Sequence, residues 1–332
     1  MNKVGAAIKK AVQISPLQLF SRMRGYPGFG VIIATLVIFL TFSLLAPDTF
    51  PTLRNLTGIF TIVSELGIIV LGVTFLMISG EFNLAVSSIY AFSAFLFATL
   101  ANYLPSPLAL LITLGVAGFL GLMCGVITLR GRIPSFIATL GMMLFIRGVL
   151  LGITGGRSIT YGGDAIVPTM LAGLLDHGFR PSHFWFIGLT LLFWFVLTRT
   201  RYGNWVFATG GVEEVARAMG VNTNKVKLIN FTISGLLAGL SGVIVLSRFG
   251  LASPAFGIGL ELEAIAAVVI GGTFIKGGYG TIIGAFLGTF VVGMMRVGLI
   301  LIGAPPFWFQ AFVGALLIIA AIINIRLRRL EM

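Results

Sequence analysis

Residues 199–227 read RTRYGNWVFATGGVEEVARAMGVNTNKVK, the longest polar stretch lying between two long apolar runs of the chain. Within it, Val212, Val215, Ala216 and Met219 recur at i, i+3, i+4 and i+7, which describes one apolar stripe on a helix of about two and a half turns. The opposite face carries Glu213, Glu214 and Arg217, and Glu213 precedes Arg217 by four residues, the favourable order for a helical ion pair. Gly210 and Gly211 precede this helix, its acids occupy the first turn where the macrodipole favours them, and Gly220 can end it in a left-handed cap. So short an amphipathic helix does not persist alone in water and must dock on something. Two surfaces are open to it: the chain's own membrane-embedded part, or a soluble partner.

Outward from this stretch the sequence turns apolar. Of 332 residues, 58% are hydrophobic and only 10% charged, with a mean hydropathy of +1.07. A soluble domain does not bury that much apolar surface, so the expectation is an all-α polytopic membrane protein. Ten runs approach the ~20 residues needed to cross the hydrocarbon: 29–46, 56–79, 84–104, 108–129, 135–154, 183–198, 228–247, 260–275, 280–303 and 307–325. The transmembrane domain therefore covers 29–325, with a basic tail over 1–28 and a short tail over 326–332. Two groups of four closely spaced runs flank the middle of the chain, a pattern expected of duplicated halves.

The formal charge of +12 invites a nucleic-acid reading, but its placement argues against one. Arg130, Arg132, Arg199, Arg201, Arg217, Lys225, Lys227, Lys276 and both tails fall on one side of the ten-span arrangement, which holds 16 of the 22 basic residues. The other side holds Arg54, Arg157, Arg180 and Arg248, while Arg147 and Arg296 fall within spans. This is the positive-inside distribution, and it places both termini and residues 199–227 in the cytoplasm and residues 155–182 outside. The basic N-terminal tail is expected to rest on anionic lipid headgroups. No nucleic-acid partner is expected. A single Cys124 excludes a disulfide within the chain and a cysteine metal cluster, and His177 and His183 read as loop residues near the outer surface.

Within the spans, Glu65 is an expensive residue to place in hydrocarbon; it is either a carboxyl bonded to a neighbouring helix or part of a substrate path. Only Gly80, Glu81, Phe82 and Asn83 separate the second span from the third, and Ser87 and Ser88 follow among small residues. Asn83 and Ser87 with Glu65 offer hydrogen-bonding groups, and Phe75 and Phe82 offer the apolar contacts that accompany them in small-molecule sites, so these five are the candidates to border a substrate path. Arg147, about 20 Å along its span, is expected to snorkel or to serve structure. The fourfold spacings of Gly280, Gly284 and Gly288, and of Gly235 and Gly239, indicate close helix packing. The turn from Lys276 to Gly280 lacks the Gly-Lys-Ser/Thr ending of a phosphate loop, and no nucleophile has a histidine in reach, so neither nucleotide chemistry nor an enzyme constellation is written here.

Four ordered stretches resemble one family, the permease subunits of bacterial ribose-type sugar ABC importers. They are GEFNLAVSS from Gly80, RIPSFIATLGMM from Arg132 with Arg147-Gly148 downstream, ATGGVEEVARAMGV from Ala208, and ELEAIAAVVIGGT from Glu261 continuing into GGYGTIIGAFLG from Gly277. Asn83 stands where the family usually has Asp, and Val212 replaces an Asn of its coupling segment. The resemblance implies a multi-pass protein of the bacterial inner membrane that is not an enzyme and carries no cofactor, ATP being bound by a separate ATPase subunit. It further implies a second permease copy, identical or sister, and a periplasmic solute-binding protein. Gly211, Glu213, Glu214, Arg217 and Gly220 would then belong to the ATPase-coupling helix. A branched-chain amino acid or nucleoside ABC permease is the nearest alternative, and an ion-coupled secondary transporter using Glu65, Glu261 and Glu263 is the competing class.

Overall fold

The computed structural model describes residues 29–305 and 307–331, so the expectation of a lipid-bound tail over 1–28 lies outside the described residues. The chain is all-α and polytopic. Its helices are α1 Phe29–Leu45, α2 Leu53–Ile78, α3 Val86–Ala101, α4 Ser106–Gly131, α5 Ser135–Thr154, α6 Ile166–Ala172, α7 Pro181–Arg199, α8 Arg201–Gly211, α9 Glu213–Ala218, α10 Thr223–Phe249, α11 Leu260–Ile270, α12 Ile282–Leu301 and α13 Phe307–Glu331. Six of them (α2, α4, α5, α7, α10 and α12) are, among the described residues, long and apolar enough to cross a membrane, and α1, α3 and α13 carry apolar segments over Gly30–Leu45, Val86–Ala101 and Phe307–Ile322.

The expected eighth span, 260–275, is corrected. α11 ends at Ile270 after 11 residues, because the chain leaves the helix through Gly271 and Gly272, the latter at φ 88°. At 1.5 Å per residue that is about 16 Å, roughly half the hydrocarbon thickness. Hydropathy alone does not register such a stop, since Gly271 and Gly272 barely move the average and Phe274 and Ile275 carry the apolar run onward.

α10 occupies the centre of the bundle, packed against α2, α3 and α4. It can do so because small residues line the seams. A methyl group added at Gly235 would lie 2.5 Å from the Ala117 carbonyl oxygen, and one at Gly242 would lie 2.1 Å from that of Tyr90. The Gly284 and Gly288 repeat serves α12 in the same way, abutting the carbonyls of Gly271, just past α11, and of Ala267 within it, each at a would-be 2.0 Å. Between helices in hydrocarbon there is no hydrophobic drive to associate, so dispersion contacts at this backbone distance supply it.

The bundle has two chemically distinct ends. One, here the basic end, gathers the Arg130–Arg132 turn, residues 199–227 and the Lys276–Gly280 turn. The opposite end joins the segments expected outside: β1 Ile159–Thr160 pairs antiparallel with β2 Leu251–Ala252. There, Asp164 accepts hydrogen bonds from the Ser106 amide at 2.8 Å and hydroxyl at 2.5 Å and from the Ile166 amide at 3.0 Å, capping two helices. The Ser106 hydroxyl and amide hold its carboxyl below the usual range. His183 also departs from expectation. It is buried in the first turn of α7, 3.0 Å from the Thr61 hydroxyl and stacked on Phe60 with ring centroids 4.5 Å apart.

Candidate functional site

The four-residue connection between α2 and α3 is the hub of the basic end. α2 closes on Ser79, and Gly80 turns the chain at φ 87°, a conformation that costs a side-chain-bearing residue about 1–2 kcal/mol. The following amides find side-chain oxygens on α5: the Phe82 amide donates to the Ser135 hydroxyl at 3.0 Å and the Leu84 amide to Thr139 at 3.1 Å. Ser88 donates to the Met143 carbonyl at 2.7 Å. Asn83 is fully buried; its oxygen accepts from the Ala85 amide at 3.0 Å, and its amide group donates to Ser234 of α10 at 3.2 Å.

Two glycine-rich backbones close on the other side of this turn. The Gly278 amide donates to the Ile78 carbonyl at 2.8 Å, and a methyl group added at Gly210 would lie 1.8 Å from that same oxygen. One at Gly277 would lie 2.8 Å from Gly80 Cα. The four separated stretches singled out in the sequence thus meet at a single point, in contacts made by backbone and small side chains.

Residues 199–227 are more helical than expected. α8 runs up to Gly211, so Gly210 and Gly211 end one helix rather than lead into the next, and Val212 joins the two. α9 is only six residues long, because Val212 breaks from helical geometry at φ −133°. Its end is as expected: Gly220 sits at φ 85°, with its amide bonded to Arg217 O and the Val221 amide to Ala216 O.

Of the two surfaces open to α9, its apolar stripe faces away from the chain's own bundle except at Ala216. Val212, Val215 and Met219 are 61%, 54% and 79% exposed, while Ala216 is buried. Glu213 turns inward: its two oxygens meet Arg217 at 2.7 Å and Lys227 at 2.9 Å, and it accepts from Thr223 at 3.0 Å. Lys227 in turn reaches Glu81 of the α2–α3 turn at 2.7 Å. Glu214 stays exposed. Glu81, Glu213, Arg217 and Lys227 line a polar cleft of about 520 Å³ together with Arg132 and Ser135.

Partial burial pulls the Glu213 carboxyl up, but the Lys227 hydrogen bond and charge, the Thr223 hydroxyl and Arg217 outweigh it and hold the group below the usual carboxylate range. A depressed folded pKa contributes stability that is complete above the unfolded value of about 4.3 and is lost as pH falls through the folded value. Thermal unfolding followed from pH 7 to pH 3 is expected to lose this contribution only below the ordinary glutamate range, and Glu213→Gln to remove it at every pH.

The remaining candidate residues do not form one site. Glu65, 13 residues up α2 from Ile78, is about 20 Å from the turn. It is buried and paired with Arg248: Oε1 lies 2.6 Å from Nε, and Oε2 accepts from Nη2 at 2.9 Å. Arg248 was expected in an outer loop. It belongs instead to the last turn of α10, whence the long side chain reaches back into the bundle. Glu263 of α11 pairs with Arg296 of α12 at 2.5 Å, a second acid–base pair inside the apolar region. Phe75 is enclosed by Phe193 and Tyr202, with ring centroids 5.2 and 6.5 Å away, apart from Phe82. Ser87 is buried, and its carbonyl accepts from Arg147 at 3.2 Å. Arg147 also donates to the Pro254 and Phe256 carbonyls, so it ties the loop before α11 to α3 rather than snorkelling. Glu65, Glu263 and Arg296 stood out in the sequence as charges within spans, but Arg248 did not, and nothing in the spacing named the partners. Among the described residues, no group of acidic, histidine and cysteine side chains is arranged to hold a metal.

Comparison with known proteins fits this arrangement. The family described as branched-chain amino acid transport system / permease component matches residues 55–321. The ribose import permease protein of Escherichia coli K12 is 36% identical over 297 residues, 88% of this chain and 91% of that one. The L-arabinose ABC transporter permease protein of Azospirillum brasilense is 33% identical over 311 residues (89% and 86%), and the xylose transport system permease protein of E. coli K12 is 30% identical over 353 aligned positions (88% and 90%). No solved structure matches the chain. With the match running through all four stretches that meet at the α2–α3 turn, the chain belongs to the ABC-importer permease family and is a membrane transport subunit rather than an enzyme.

Proposed function

We propose that the chain is the permease of a sugar importer, taking a pentose or a similar small sugar, with ATP hydrolysis supplied by a separate ATPase subunit docked on α9 and substrate delivered by a solute-binding protein at the opposite end. The observation that carries the docking assignment is the exposed stripe of Val212, Val215 and Met219 along α9 and its two caps, while Glu213 is turned inward by ion pairs with its own chain. An exposed apolar stripe flanked by Glu214 and Arg217 is the pattern of a helix that seats in a partner's groove. Gly211 and Gly220 bound that helix. The docking surface is therefore the apolar side of α9, and Glu213 acts by orienting it.

In this reading the basic end is cytoplasmic, with both termini, and a second permease copy completes the central path. The duplicated halves correspond to α2–α5 and α10–α13. The path runs from the Glu65–Arg248 pair towards Phe82, Asn83 and Ser87, polar groups in helices that otherwise exclude polarity; Phe75 packs behind it. Sugar relatives at 30–36% identity over most of the chain favour a sugar over a branched-chain amino acid. Glu65 and Glu263 are each committed to an arginine, which weighs against their serving as ion-coupling carboxylates.

Val215→Asp with Met219→Asp tests the docking surface, since both side chains are exposed and the substitutions leave the fold in place. Expected are normal membrane abundance and at least a tenfold loss of ATPase copurification, about 1.4 kcal/mol or more. Full copurification would place the docking site elsewhere. For orientation, single cysteines at Thr160 and Glu214 in a Cys124→Ser background are expected to react with an impermeant reagent from opposite sides of the membrane.

A further inference from the structure

We infer that Lys227 is a positioning residue that transmits movement of α9 to the Gly80–Asn83 turn, so that docking or release at the ATPase surface is felt at the substrate path. The inference deepens the docking assignment above and rests on it. Its basis is one ammonium group held between carboxylates from two separate segments, Glu81 at 2.7 Å and Glu213 at 2.9 Å. Lys227 and Glu81 are nearly buried, with side chains 9% and 13% exposed, so the interaction is not dissolved by solvent screening. Glu81 stands two residues from Asn83, in a turn whose amides are fixed to α5 and whose Asn83 is bonded to α10. Displacement of that turn therefore reaches the beginning of α3.

The surroundings favour transmission over simple anchoring. Beside this lysine, Gly210 approaches Gly80 and the Ile78 carbonyl backbone to backbone, with Gly277 and Gly278 packed against both. These seams carry no side chains that interlock, whereas the shared lysine exerts a directed pull. The cleft of about 520 Å³ beside it gives the carboxylates room to separate. When α9 shifts, Glu213 moves with it, and Lys227 is left to Glu81 alone or is drawn away from it. Arg217 holds the far side of Glu213 through Oε1 and also bonds Thr223 at 2.8 Å and Asn224 at 3.2 Å, so Glu213 cannot simply swing aside. Cooperative networks of this kind are measured by their coupling rather than by any single bond.

The test uses the full permease assembled with its ATPase subunit in liposomes. A reporter cysteine replaces Phe82, half-buried in the turn, in a Cys124→Ser background, and its rate of modification is read with and without ATP and vanadate. With Lys227 present, nucleotide is expected to change that rate by about tenfold. Lys227→Met is expected to abolish the change while the ATPase subunit still copurifies and hydrolyses ATP, and Lys227→Arg to restore at least half of it. Glu81→Gln added to Lys227→Met should produce no further loss. A nucleotide-dependent change that survives in Lys227→Met overturns the inference, as does a turn that does not respond in the parent protein. Loss of the ATPase subunit from Lys227→Met would make the residue an anchor for α9, overturning transmission while leaving the docking assignment intact. Only failure of the parent chain to hold the ATPase subunit through α9 would sink that assignment.

Discussion

Replacing Glu65 by Leu is expected to destabilise the folded chain by about 3 kcal/mol, because it leaves the Arg248 guanidinium without its carboxylate inside the bundle. Breaking a buried pair costs about 3–5 kcal/mol, and Arg248 is 23% exposed, which places the expectation at the lower end. The double replacement Glu65→Leu with Arg248→Met should recover most of that loss, since two apolar groups no longer carry the penalty of desolvation. Thermal unfolding in detergent, together with membrane abundance, reads both effects. Transport separates two roles: a pair that only holds α2 to α10 is dispensable in the recovered double variant, whereas a pair bordering the path is not. The proposed path predicts a double variant that folds and fails to transport.

The second large effect is expected at the glycine junction. Gly210→Ala places a methyl group 1.8 Å from the Ile78 carbonyl oxygen, an atom already engaged by the Gly278 amide. Two backbones must separate to admit it, and relief by rotation of a side chain is not open to either. A loss of about 2–3 kcal/mol is expected, with transport falling more than abundance, because the seam adjoins the α2–α3 turn. Gly211→Ala is the control. A methyl group there meets nothing within 4 Å, so stability should be unchanged. Equal losses in the two variants would show that α8 tolerates or resists substitution generally and that the close approach at Gly210 has no special weight.

Much of the fold was legible because it depends on periodicity and composition. Apolar length located the long helices to within a few residues, the left-handed stop at Gly220 followed from glycine alone, and the small-residue spacings marked the seams that α10 and α12 use. What the sequence could not show depends on direction in space. The stripe of Val212, Val215 and Met219 was visible, but an amphipathic pattern does not reveal which side is already occupied, and the side taken by the chain's own lysine is the polar one. Arg248 looked like the first residue of a loop because a charge ends an apolar run; its helix continues to Phe249 and the side chain folds back to Glu65. His183 looked solvent-exposed because it follows a polar segment, yet α7 begins at Pro181 and carries it inward. α11 was overestimated because Gly271 and Gly272 are neutral to a hydropathy average but decisive for backbone geometry. Likewise the four family-like stretches are far apart in sequence, and only the fold explains their joint presence: each contributes backbone or small side chains to one turn.

The most direct test of the account is transport in a defined system. The chain is reconstituted in liposomes with its ATPase subunit inside and its solute-binding protein outside, and uptake of radiolabelled ribose, arabinose and xylose is measured. The account predicts accumulation of at least one of these sugars that requires both internal ATP and the binding protein and is indifferent to ionophores that collapse proton and sodium gradients. Uptake by the chain alone, driven by an ion gradient and needing no ATP, would contradict it.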